Sequence, residues 1–191
     1  MEIEQHPLQP FLPPNARLLM LGSFPPPRKR WSMDFFYPNR TNMMWEVFGH
    51  VFFNDASHFV NKENKSFYQQ DIESLLKERG IALYDTAKAV IRLQNNASDK
   101  FLQVVEKTDV STLLSRIPFC SNILCTGEKA ATLLCETYGE QPPKIGQSIP
   151  LIINNREISV HRLPSTSRAY PLSVEDKAVH YERLFKSIGL L

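Results

Sequence analysis

The chain has 191 residues, 42% of them hydrophobic and 22% charged, with a formal net charge of +2. That length suits one domain with a sizeable core spanning residues 1–191, and the composition is that of a soluble globular protein. The small net charge neither establishes a nucleic-acid partner nor excludes one if the charge is unevenly placed, and no run is long enough to span a bilayer.

The first fifteen residues are Pro-rich, carry acidic groups and lack an apolar leader core, which predicts a surface wrap on a cytoplasmic protein. "RLLMLG" reads as a buried strand from its continuous apolar run. It runs into "GSFPPP", where Gly22 suits a tight turn or close backbone approach and three prolines stiffen the loop. Such a loop is either a rigid connector or a pre-shaped wall that holds a substrate. Arg28, Lys29 and Arg30 come next, with Arg40 nearby.

"FFYPNRTNMMW" then leads into an apolar helix, "MMWEVFGHVFF". Its aromatics could stack on a planar ring while an Asn holds a water or a base edge; equally, Phe35 and Phe36 could be core and Asn42 a helix cap. Ser66 and Gln69 have capping-box spacing, and Gly80 closes the helix they start. "IALYD" is a second buried strand. Residues 109–117 read as a helix capped by Thr108 or Asp109 and stopped by Pro118.

"NILCTGEKAATLLCETYG" reads as strand, Gly127, helix. "LIINNREISV" reads as a hairpin turning at Asn154 and Asn155, with residues 158–163 as the last strand. "LPSTSRAY" comes after it, and its hydroxyls suit phosphate contacts or an ordinary turn. Ser173 and Asp176 cap a final helix that Gly189 ends.

Strands alternating with helices predict an α/β fold, a three-layer sandwich around a mostly parallel four-stranded sheet. Ligand sites in such sheets lie beyond the carboxyl ends of the strands, here "GSFPPP", "YDTAK", "CTGEK" and "LPSTSR". Phosphate-loop and dinucleotide fingerprints are missing, as is the hydrolase nucleophile elbow. His50, His58, His161 and His180 have no metal-ligand spacing, so neither metal nor cofactor is expected. The three cysteines match no zinc or redox motif.

Taken in order, "LLMLGSFP", "FFYPNRTNMMW", "GIALYD", "CTGEKAA" and "LPSTSRAYPLS" resemble the motifs of the uracil-DNA glycosylase superfamily. The resemblance runs from Arg17 to about Lys186 and is nearest to the branch of hypoxanthine-DNA glycosylase and the mismatch-specific enzymes. It implies that Asn42 is catalytic and orients water. It also implies that Tyr37 stacks on the extruded base and that Gly22, Ser23, Phe24 and Pro25 line the base pocket. Ser165, Thr166, Ser167 and Arg168 would clamp phosphates and enter the duplex. Phe24 stands where many relatives carry Asp or Asn, and Leu163 replaces a usual histidine. Asn39 and Arg40 stand in place of a His-Pro pair. Three cysteines do not supply the four that an iron–sulfur cluster needs.

The implied function is hydrolysis of the N-glycosidic bond of a deaminated base, hypoxanthine or uracil, flipped out of DNA during base excision repair. No motif carries a catalytic Lys, which predicts a monofunctional enzyme, and a monomer is expected. The alternatives are a non-catalytic DNA- or nucleotide-binding protein on the same fold, and an α/β enzyme acting on a free nucleoside.

Overall fold

The computed structural model describes residues 2–93 and 99–191; Met1, part of the N-terminal stretch read above, lies outside them. The elements are, in chain order, β1 (Ile3–Gln5), β2 (Leu18–Gly22), α1 (Met44–Phe53), β3 (Val60–Asn61) and β4 (Ser66–Phe67). Then come α2 (Gln69–Arg79), β5 (Ile81–Asp85), β6 (Ala87–Arg92), β7 (Leu102–Lys107) and α3 (Val110–Arg116). The chain closes with β8 (Asn122–Cys125), α4 (Glu128–Thr137), β9 (Ser148–Ile153), β10 (Arg156–Arg162) and α5 (Val174–Ser187).

The fold is mixed α/β around a mostly parallel sheet of order β5-β2-β8-β10-β9. β5, β2, β8 and β10 run parallel, and β9 joins antiparallel to β10. The central sheet therefore has five strands rather than four, because the first arm of the hairpin pairs along most of the last strand. β2 and β5 are buried at every position, as strands covered on both faces must be. The hairpin turns through Asn154 and Asn155 with φ of 54° and 58°, the left-handed pair of a type I′ turn. One continuous core extends from Ala16 to Leu190 and takes in α1 and α5, which pack together through Phe48, Phe52 and Phe185.

Local capping sets three of the helix boundaries. Asp109 accepts the Thr112 N–H at 3.2 Å, Ser173 accepts that of Asp176 at 3.0 Å, and Gly80 ends α2 at φ 67°. The Ser66–Gln69 capping box does not form. Ser66 belongs to β4 and its hydroxyl donates to Ser32 O, while α2 begins after Tyr68 without a side-chain cap.

The N-terminus is more than a surface wrap. β1, β6 and β7 form a separate antiparallel sheet, and Phe11 bridges to Leu83 on β5. Phe24, Ala87, Val90 and Leu102 make a second, small core beneath that sheet. Among the described residues, no helix is long and apolar enough to cross a membrane.

Candidate functional site

The parallel register brings four strand ends to one edge of the sheet. Gly22 lies opposite Asp85, Leu21 opposite Cys125, and Cys125 opposite Arg162. Residues 22–27, 85–86, 126–127 and 163–168 therefore crowd together. Ser165 Cβ would be 3.5 Å from a Cβ built on Gly127, so the last loop folds directly over the third.

The loop after β2 is stiffened by hydrogen bonds as well as by its prolines. Thr86 donates to Gly22 O through both N–H and Oγ1, at 2.9 and 3.0 Å. Ala87 N–H donates to Ser23 O at 3.0 Å, Arg92 Nη2 to Pro25 O at 3.0 Å, and Trp31 Nε1 to Pro26 O at 2.8 Å. Arg92 is itself locked by two 3.0 Å bonds to Glu4. The Phe24 ring is buried in the second core and meets the His6 ring edge-on at 5.4 Å, a packing that anchors the loop.

At the root of this loop lies a cluster that sequence reading missed in part. Tyr37 adopts φ 50°, a left-handed conformation uncommon for a bulky residue and often met at functional sites. Its hydroxyl is 3.0 Å from Thr126 Oγ1 and close to Gly22. Burial, and next the charge of Asp85, raise the Tyr37 phenol well above its ordinary range and keep it neutral. Asp85 ends β5, with its Oδ2 2.8 Å from Nε2 of His6, whose ring packs 4.5 Å from that of Tyr84. The signal for Asp85 was present as the polar end of the buried run "IALYD". Nothing local marks His6, which lies 79 residues away in sequence.

The Asn42 segment and the 165–168 loop are joined. Asn42 forms an antiparallel bridge with Ser167, and Met43 N–H donates to Thr166 O at 2.9 Å. Asn42 Oδ1 accepts the Met44 N–H at 2.9 Å. That bond fixes which amide atom is oxygen and realises the helix-cap alternative, although the formal cap position is Met43. Asn42 Nδ2 has no hydrogen-bond partner among the described residues.

The last loop is held from below. Lys177, fully buried, donates to Ser167 O at 2.8 Å and touches Met43 Sδ at 3.3 Å, while Tyr181 OH donates to Pro164 O at 3.3 Å. Burial lowers the Lys177 ammonium below its ordinary range. Above these anchors Thr166 is buried, whereas Ser167 and Arg168 are exposed. Ser165 Oγ accepts Ser167 N–H and Ser167 Oγ accepts Ala169 N–H, two consecutive hydroxyl turns that hold the tip in shape.

Other residues singled out in the sequence lie elsewhere or serve the fold. His161 pairs with Asn122 Oδ1 at 3.0 Å, near the amino end of β8, and burial lowers its pKa; it is a half-buried, satisfied histidine. Cys120, Cys125 and Cys135 are buried, and burial pushes the Cys120 thiol up to about 11. Arg28 pairs with Asp34 at 2.8 Å on the surface, and the Arg40 guanidinium lies 4.8 Å over the Phe67 ring.

No family model matches the chain, and no curated protein matches it in sequence. The fold is similar to that of a solution NMR structure from Methanosarcina acetivorans, described as "a putative Uracil DNA glycosylase". The two share 23% sequence identity at a TM-score of 0.65, over 98% of this chain and 99% of that one. At that identity the likeness establishes the fold.

Proposed function

We propose that the chain is a monofunctional DNA glycosylase that flips a deaminated base, hypoxanthine or uracil, out of the duplex and hydrolyses its bond to deoxyribose. The observation that carries this reading is the backbone pairing of the Asn42 segment with the 165–168 loop, beside the Gly22–Tyr37–Thr126 cluster. An exposed, hydroxyl-rich loop tip with Arg168 suits strand phosphates and the gap left by a flipped base. A stiff wall and an aromatic ring held by its hydroxyl suit a planar base. Flipping costs a few kcal/mol, and stacking on an aromatic ring offsets about 1–3 kcal/mol of that.

Hydrolysis of a glycosidic bond passes through an oxocarbenium-like transition state. A deaminated base leaves readily when hydrogen-bond donors stabilise its developing negative charge. With Oδ1 engaged by Met44, Asn42 has its Nδ2 donors for that purpose, so its role is donation to the leaving base rather than acceptance from water. A neutral Tyr37 adds no charge that would oppose the departing anion.

The test is a base-release assay on duplexes containing hypoxanthine, uracil or xanthine. Release of one or more with the strand left intact is the expected result. The packing of Phe24 into the second core favours one other reading, a DNA-binding protein without catalysis, which would bind these duplexes and release nothing.

A further inference from the structure

Amides are not bases, so Asn42 leaves the attacking water without a proton acceptor. Among the described residues, the strand-end segments bring the carboxylates of Glu128 and Asp85 to the site's edge of the sheet. Glu128 is exposed and lies 3.6 Å from Arg162. Asp85 is nine-tenths buried, and its two oxygens differ. Oδ2 is held at 2.8 Å by His6 Nε2. Oδ1 has no hydrogen-bond partner among the described residues and stands over Gly22, where even a methyl group would strike it.

The His6 ring is fixed on every side. Its Nδ1 lies 3.0 Å from Leu8 O, and the rings of Phe24, Phe36 and Tyr84 surround it at 5.4, 6.3 and 4.5 Å. Thr108 Oγ1 donates to the Asp85 carbonyl at 2.7 Å and pins the end of the strand. A carboxylate with one oxygen aligned by an imidazole and the other open beside a glycine is built to receive a proton in a set direction.

We propose that Asp85 is the general base of the reaction and that His6 is its positioning residue, an inference that rests on the glycosylase reading. The water oxygen bonds to C1′ as the C1′–N bond breaks, and both electrons of that bond leave with the base. The water proton passes to Asp85 Oδ1. The departing base takes a proton from solvent, and Asp85 returns its own proton to solvent. Gly22 is glycine because the carboxylate occupies the place of a side chain.

The experiment measures single-turnover release, duplex affinity and melting temperature for wild type, Asp85→Asn, Asp85→Gly, His6→Ala and His6→Gln. Asp85→Asn preserves shape and should lose about 10²–10⁴-fold in release, the range for a positioned base, with duplex affinity kept. Added formate should restore release to Asp85→Gly and leave wild type unchanged. His6→Gln, whose amide can still donate to Oδ2, should retain more activity than His6→Ala. Release by Asp85→Asn at the wild-type rate would overturn the inference while leaving the glycosylase reading intact. So would a variant that keeps its rate but changes which base it releases, because the carboxylate would then be reading the base. If Asp85→Gly fails to fold, Asp85→Asn alone decides. A wild-type chain that releases no base from any duplex would overturn the glycosylase reading and this inference with it.

Discussion

Gly22 and Asp85 face each other in register across β2 and β5, and a Cβ on Gly22 would collide with Oδ1 of Asp85. The carboxylate cannot swing aside, since His6 holds its other oxygen. Gly22→Ala should therefore displace Asp85, with an overpacking cost of about 1–3 kcal/mol. Base release should fall by about 10²-fold, the scale of a small misplacement at a reacting centre. Chemical denaturation and single-turnover release on the same sample check both. An alanine variant with wild-type release would show that the position of Asp85 does not matter.

Lys177 ties the last loop to the residue after Asn42. Lys177→Met removes the donor to Ser167 O and leaves that carbonyl with the Tyr170 N–H. Replacing a buried charge with an apolar side chain of similar size is often close to neutral for stability. The expected change is in loop order: faster amide exchange at Met43 and weaker duplex binding, with little shift in melting temperature. Unchanged exchange at Met43 would mean that the two segments are coupled by their backbone bonds alone.

Arg168 sits exposed at the tip of the same loop. If it meets a strand phosphate, Arg168→Ala should weaken binding to all duplexes alike and reduce the slope of log affinity against log salt by about 1. Titrations at several salt concentrations give that slope. An unchanged slope would remove Arg168 from the phosphate contacts.

Asp109 provides a pH test of the fold. Hydrogen bonds from Ser111 and Thr112 lower its carboxyl from an ordinary 3.8 to about 2. A depressed native pKa means stability that is fully present above about pH 4 and lost as pH falls toward about 2. Asp109 is exposed at a helix cap, so the effect is small and screened by salt. Acid titrations of stability should show a shallower loss in Asp109→Asn over that window. A parallel loss in both proteins would contradict the cap.

Three of the four parallel strands, β2, β5 and β8, are legible as short apolar runs bounded by turn residues, and β10 as the second arm of a hairpin turning at Asn154 and Asn155, while Asp109, Ser173 and Gly80 mark helix ends by local chemistry. The β6–β7 hairpin was not legible, for two physical reasons. Register shifts between Ala87 and Val90 break the alternation that marks a strand, and β7 is exposed at most positions. Ser66 misled because β4 pairing competes for a residue with cap-like spacing. At the site, Asn42, Tyr37 and the last loop lie in motifs that can be read locally. The His6–Asp85 pair depends on a contact made only when the N-terminal strand docks.

The most direct test of the glycosylase site is single-turnover base release by Asn42→Asp, with melting temperature measured on the same sample. Aspartate keeps the oxygen that accepts the Met44 N–H, and a carboxylate at a helix N-terminus is favourable, so the fold and the cap are retained. It lacks the amide donors. The expected result is an unchanged or higher melting temperature with release reduced about 10²–10³-fold, the scale of losing one positioned hydrogen-bond donor to a developing anion. Release at the wild-type rate would contradict the donor role and would leave Asn42 as a helix cap and nothing more.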